Sequence, residues 1–140
     1  MPSPLLRVTI GTESFDERFA MECAPNSCRE LHGLLPYSGR LVHARWSGEC
    51  LFAPLETQWP RTTLLAEENA TDHPLPGEIL LYAGETSEPE LLITYAGARF
   101  ACISGELSGN RVLVIDGDLK RLAKVGRKVL WEGATLLPIE

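Results

Sequence analysis

The sequence predicts an all-β protein, a closed β-barrel with two short capping helices. Three observations support the barrel. Short apolar runs of strand length recur along the 140 residues, and turn-forming glycine, asparagine or proline separates them. Only two segments show the spacing of apolar residues that is typical of a helix. Closing the sheet removes exposed edges, through which strands would otherwise pair with other chains.

The composition is that of one globular domain spanning residues 1–140. Apolar residues make up 44% of the chain and charged residues 23%. A chain of this length buries roughly 68–70% of its unfolded surface, so we expect a core that needs no metal or cofactor. The N-terminus has no secretory signal pattern, and no apolar run reaches the ~18–20 residues that cross a bilayer. We therefore expect a cytoplasmic protein with no membrane partner.

The net charge of −6 argues against a nucleic-acid partner, because phosphate backbones attract surfaces rich in lysine and arginine. One basic cluster runs from Lys120 to Lys128. We expect it at the end of a helix, where cations meet the negative end of the helix dipole.

The four cysteines are predicted to be reduced, because cytosolic thiols are kept so. Cys23 and Cys28 are separated by four residues and match no zinc-binding spacing. We interpret them as small buried hydrophobic residues, and we expect no metal site.

The first two strands are predicted as a hairpin, Leu5–Ile10 and Ser14–Ala20, that turns at Gly11. Phe15 and Phe19 are four residues apart, so strand alternation places both on the inward face.

Two segments have helical spacing. The first runs from Pro25, which suits an initial helical turn, to Leu35 before Pro36. The second is capped by Asp116 or Asp118 and ends at Gly126.

The segment Gly39–Trp46 alternates between two faces and returns as a strand over Glu49–Pro54. One face is predicted to be core-like and the other polar, with Val42, Ala44 and Trp46 on the first and Leu41, His43 and Arg45 on the second.

Periodicity fades between Leu55 and Pro76, apart from a short predicted strand at Thr62–Ala66. Long segments of this kind are ordinary irregular connections or functional rims and lids, and both interpretations stay open.

The remaining predicted strands continue to the C-terminus. The first is apolar on both faces, as expected for a strand covered on two sides. They are Glu78–Ala83, Glu90–Tyr95, Ala98–Ile103, Val112–Ile115, Lys128–Trp131 and Ala134–Ile139.

Four stretches resemble a known family, namely His43–Glu49, Pro76–Tyr82, Ser87–Tyr95 and Phe100–Asn110. The chain resembles uncharacterised bacterial proteins that carry a domain of unknown function with a cyclophilin-like fold. The resemblance implies a closed β-barrel of about eight strands flanked by helices. The Phe-His-Arg and Gln-Gly-Gly-Asp-Phe segments of cyclophilin-class prolyl isomerases do not occur in the sequence, which argues against that activity.

His43, Arg45 and Glu49 form the first candidate site, because a strand-turn-strand unit brings them to one face with Glu49 reaching toward Arg45. A guanidinium binds carboxylates through a planar fork, and an imidazole transfers protons near neutral pH. The alternative is a solvated barrel face with one ordinary ion pair.

Tyr82, Tyr95 and Arg99, together with Phe100, form the second candidate group, an aromatic wall with a positive tip at the barrel mouth. The alternative interpretation makes Tyr82 and Phe100 plain core residues.

These residues support two hypotheses about function. The first is a self-associating barrel, a homo-oligomer, that binds a small polar or acidic molecule where His43, Arg45, Tyr82 and Arg99 converge. The second is an enzyme, either a small hydrolase or isomerase or a residual peptidyl-prolyl isomerase, with His43 as acid and base. A purely structural oligomerisation partner is a third possibility.

Overall fold

The structure is a computed structural model that describes residues 5–55, 65–84 and 87–140. Along the chain the elements are β1 Leu5–Ile10, β2 Glu13–Phe19, α1 Pro25–Gly33, β3 Tyr37–His43, β4 Gly48–Pro54, β5 Ala70–Thr71, β6 Glu78–Tyr82, β7 Glu90–Ala98, β8 Ala101–Cys102, β9 Gly105–Glu106, β10 Gly109–Ile115, α2 Leu119–Glu132 and β11 Thr135–Ile139.

Eight of these strands close into an antiparallel barrel, which confirms the predicted fold class. The order around the barrel is β2, β1, β11, β3, β4, β7, β6 and β10, and β10 pairs back onto β2. The short β5 adds to β10, while β8 and β9 form a separate two-stranded hairpin. Each of the eight wall strands therefore has a paired neighbour on both sides, and closure removes the free edges of the sheet.

The barrel interior is filled by every second side chain of the wall strands. Phe15 and Phe19 are 3% and 4% exposed, as the alternation of β2 predicts. Strand β6 is buried on both faces, because its outward side chains are also covered. This outer apolar layer comprises Cys50, Leu80, Tyr82, Leu92, Phe100 and Leu107. The barrel wall therefore separates two apolar clusters.

The second helix was predicted to end at Gly126 and to be followed by a strand at Lys128–Trp131. Both predictions are wrong, because α2 continues to Glu132. Asp118 is the N-cap, as predicted, and its Oδ1 accepts a hydrogen bond from the backbone N–H of Arg121 at 3.0 Å. The helix continues through Gly126, where a Cβ atom would lie 2.6 Å from Cε1 of Tyr95. Glycine permits close packing there. The basic cluster consequently runs along the helix and not at its last turn.

The predicted faces of the third strand are also wrong. Leu41, expected on the polar face, is fully buried in the barrel core, whereas Trp46, expected on the core-like face, is 50% exposed. Strand β3 ends at His43, so the alternation does not extend to Trp46, which lies in the connection to β4.

Other differences are smaller. The predicted strand Ala98–Ile103 divides, since β7 continues to Ala98 and only two residues form β8. The predicted strand Thr62–Ala66 lies mostly outside the described residues.

All four cysteines are free thiols, as predicted. Cys28 is buried, but Cys23 is exposed, so its predicted burial is wrong. In the described parts of the chain, no helix is long and apolar enough to cross a membrane.

Candidate functional site

His43 and Tyr95 are brought together on the inner side of the barrel wall. The His43 ring packs edge-on against Tyr95 with 5.6 Å between the ring centroids. His43 Nδ1 lies 2.8 Å from the carbonyl oxygen of Ala44, which can only accept, so Nδ1 carries a proton. In the neutral ring, Nε2 then accepts a hydrogen bond from the Tyr95 hydroxyl at 2.7 Å. Both ring nitrogens are therefore engaged within the protein.

Glu49 also lies on this side, beside helix α2. Its carboxylate is 3.8 Å from the guanidinium of Arg127, and this pair replaces the predicted contact with Arg45. Burial raises the pKa of Tyr95, and the negative charge of Glu49 raises it further. The Tyr95 hydroxyl is therefore a neutral hydrogen-bonding group at neutral pH.

Tyr82 and Arg99 lie elsewhere. Tyr82 belongs to the outer apolar layer, where its ring meets Phe100 edge-on at a centroid distance of 5.4 Å. Its hydroxyl accepts a hydrogen bond from the backbone N–H of Ser87 at 3.1 Å. Arg99 is exposed and pairs with Glu106 at 3.1 Å.

The predicted convergence of His43, Arg45, Tyr82 and Arg99 on one cavity is therefore wrong. Strand register explains the separation of the two tyrosines. Tyr82 is paired with Glu90 of β7, and Tyr95 lies five residues after Glu90 on that strand. An odd offset along a strand places a side chain on the opposite face, so Tyr82 faces the outer layer and Tyr95 the interior.

Arg45 borders a recess of about 240 Å³ on the outer side of the barrel wall. The β3–β4 connection contributes Arg45 and Trp46, strand β7 contributes Glu90 and Leu92, and the β8–β9 hairpin contributes Cys102. We call this space the Arg45 recess. Arg45, a residue predicted as a site candidate, thus lines an open cavity.

Ser47 joins two walls of the Arg45 recess. Its buried hydroxyl accepts a hydrogen bond from Ala101 N at 3.0 Å and donates one to Ala101 O at 3.2 Å. The carbonyl oxygen of Ser47 also accepts a hydrogen bond from Arg99 N at 2.9 Å. These bonds hold the β8–β9 hairpin against the β3–β4 connection, a role that the sequence alone did not reveal.

Arg45 and Trp46 present a cation beside an aromatic face. The Arg45 Cζ atom lies 5.4 Å from the Trp46 ring centroid, a distance at which a cation–π interaction forms. Within the described ranges, Arg45 has no carboxylate within ion-pair distance. Its guanidinium is therefore available to a ligand.

Two carboxylates line the Arg45 recess, those of Glu88 and Glu90, and Glu90 has the unusual pKa. Burial raises its pKa to about 7, and the negative charge of Glu88 adds to the shift. The carboxyl group is thus partly protonated at neutral pH and either donates or accepts hydrogen bonds. The sequence analysis missed Glu90. The available signal was a carboxylate at the first position of a strand whose next five residues are apolar or buried.

Solved structures resemble this chain across nearly its full length. One is the structure of McbB in complex with tryptophan, whose sequence is 19% identical to this chain and whose TM-score is 0.77. The match covers 96% of this chain and 44% of the McbB chain. This chain therefore spans less than half the length of McbB. The solution structure of the hypothetical protein AF2241 from Archaeoglobus fulgidus is 14% identical with a TM-score of 0.61, covering 99% of this chain and 94% of that one.

The two TM-scores show a shared fold, and at identities below 25% the likeness shows the fold alone. No curated protein matches the chain. A family model matches residues 8–139 of the sequence. The family is described as a protein of unknown function, DUF3830. The chain is a member of the DUF3830 family.

Proposed function

We propose that this protein binds a small molecule carrying a carboxylate and an amino group, of the α-amino acid class, in the Arg45 recess. The observation that carries this proposal is a combination of three groups in one recess: a guanidinium with no ion-pair partner among the described residues, an exposed indole and a carboxyl group with a pKa of about 7. The fold relative McbB was solved in complex with tryptophan, which supports this ligand class.

Each residue has a distinct role in the proposal. The Arg45 fork binds the ligand carboxylate, and ionised Glu90 pairs with the ligand ammonium. Trp46 and Leu92 contact the apolar body of the ligand. A volume of 240 Å³ falls below the roughly 300–1,000 Å³ of drug-sized pockets, which favours a ligand of amino-acid size.

Isothermal titration calorimetry with three related probes tests the proposal. L-tryptophan carries both charged groups, indole-3-propionate lacks the ammonium, and tryptamine lacks the carboxylate. Arg45→Gln is expected to weaken tryptophan and indole-3-propionate by about 10-fold or more, since a charge-assisted hydrogen bond contributes about 1.5–3 kcal/mol. Glu90→Gln is expected to weaken tryptophan and tryptamine instead.

The pH dependence follows from Glu90. Its pKa of about 7 means that the carboxylate is mostly neutral at pH 6 and mostly ionised at pH 8. Tryptophan should therefore bind more tightly at pH 8 than at pH 6, and Glu90→Gln should remove that difference.

Arg40→Gln is the matched control, because Arg40 is exposed on β3 and does not line the recess. It should leave all three affinities unchanged. Absence of saturable binding of any probe, or equal weakening by Arg40→Gln and Arg45→Gln, would count against the proposal.

Catalysis with His43 as acid and base has less support, since both ring nitrogens are bonded inside the barrel. An isomerisation assay on a proline-containing peptide tests the residual isomerase, and equal rates with and without protein would remove it. Self-association and a cytoplasmic location stay predictions. The mass in solution tests the first, and cell fractionation tests the second.

A further inference from the structure

A second recess, of about 760 Å³, lies between helix α2 and the turn that joins β1 to β2. Its helical wall includes Lys124, Lys128 and Trp131, and its opposite wall includes Thr12 and Glu13. We call it the α2 groove. It shares no lining residue with the Arg45 recess.

The α2 groove is positively charged although the chain carries a net charge of −6. Four cations and two carboxylates line it, which leaves two positive charges. These are Arg121, Lys124, Arg127 and Lys128 against Glu13 and Glu132. The charge of the groove is opposite to that of the protein as a whole, and it favours an anionic ligand over a cationic one.

The two arginines are already engaged. Arg121 pairs with Glu13 at 2.8 Å, donates to the carbonyl oxygen of Ser14 and lies over the Phe15 ring at 4.1 Å from its centroid. Arg127 pairs with Glu49 on the barrel wall. The lysines are therefore the cations that remain for a ligand.

Lys124 and Lys128 lie four residues apart and are neighbours on the helix surface, where like charges repel. Among the described residues, Lys128 has one ion-pair partner, Glu132, at the long distance of 3.9 Å. Lys124 has no ion-pair partner in the part of the chain that the structure describes. An anion with two negative charges would offset the repulsion between them.

Trp131 provides a flat aromatic surface in the same groove. It is 84% exposed, which is unusual for a large aromatic side chain. Lys128 and Trp131 are three residues apart, so they lie on the same face of the helix. A ligand held by the lysines therefore reaches the indole.

We propose that the α2 groove binds a phosphorylated aromatic molecule of nucleotide size, with Lys124 and Lys128 on the phosphate and Trp131 stacked on the ring. Lysine is a common point-charge partner of phosphate, and aromatic side chains stack on bases without sequence preference. The volume of 760 Å³ lies within the roughly 300–1,000 Å³ typical of small-molecule sites.

Titration calorimetry of the full chain with AMP, pyrophosphate and adenosine tests the groove. The double variant Lys124→Gln/Lys128→Gln should weaken AMP and pyrophosphate at least 10-fold. Trp131→Ala should weaken AMP and adenosine but leave pyrophosphate unchanged, because the ring contact alone is removed. Thermal unfolding of each variant checks that the barrel is intact.

Lys120→Gln is the control, because it removes one positive charge from the same helix outside the groove. Its AMP affinity should stay within 2-fold of the wild type. The proposal is overturned if AMP shows no saturable binding up to roughly 1 mM, or if Lys120→Gln weakens AMP as much as the double variant. Unchanged AMP binding in Arg45→Gln separates this site from the Arg45 recess.

Discussion

At the residue scale, Glu17 is the side chain least suited to its surroundings. It lies on β2 between Phe15 and Phe19 and faces the barrel interior with 0% exposure. Neither of its carboxylate oxygens has a hydrogen-bond partner among the described residues. Burial raises the pKa of Glu17 well above its usual range, so the neutral form is favoured in the folded protein.

Glu17→Leu is expected to stabilise the protein, because it replaces an unpartnered buried carboxyl by an apolar side chain of similar volume. The cost of keeping Glu17 from ionising in the fold is small at pH 4, just below the unfolded pKa of roughly 4.3, and grows as the pH rises. Urea unfolding should therefore show a gain of about 1–3 kcal/mol at pH 4 and a larger gain at pH 8.

Glu17→Gln is the control for this prediction. It removes the ionisable group but keeps unpartnered polar atoms, so it should reproduce the pH-dependent part of the gain, seen at pH 8, and little of the gain at pH 4. A loss of stability in Glu17→Leu at both pH values would show that the carboxyl has a stabilising partner.

At the element scale, helix α2 is positioned by its contact with β7. Gly126 lies in the middle of the helix and against the Tyr95 ring, and Tyr95 in turn bonds His43. Glycine weakens a helix interior, so its presence there reflects the close approach of helix and strand. Gly126 was predicted to end the helix, because the sequence does not distinguish a glycine that ends a helix from a glycine that makes room for a neighbouring ring.

Gly126→Ala should destabilise the protein by about 1–3 kcal/mol, even though alanine is the better helix former by about 1 kcal/mol. The added methyl group would overlap the Tyr95 ring. Thermal and denaturant unfolding measure the effect. Gly33→Ala is the matched control, since Gly33 ends α1 with open space around it. If the two variants had equal stabilities, the steric explanation would be wrong.

At the scale of the whole molecule, closure of the barrel between β2 and β10 sets the pattern of stability. The two strands pair from Phe19 with Leu113 to Glu17 with Ile115. The β8–β9 hairpin is different, because it pairs over only two residues and lies outside the wall. A closed wall opens only when many contacts break together, whereas a peripheral hairpin opens locally.

Native-state hydrogen exchange should show this contrast. Interior amides of β2 and β10 are expected to exchange with the free energy of global unfolding that denaturant titration gives. Amides of the β8–β9 hairpin should exchange at least about 100-fold faster, through local opening. Fast exchange across the β2–β10 pairing would indicate that the barrel is open there.

The sequence by itself determined the all-β barrel, its first helix, most strand positions and a helix cap at Asp116 or Asp118, because alternation, turn residues and helix caps act over a few neighbouring residues. It also identified Arg45 as a ligand candidate. The tertiary structure decided which candidates meet, since strand register placed His43 and Tyr95 inside the wall and Tyr82 outside it. The recess around Arg45 depends on contacts between distant segments, and no local pattern encodes those.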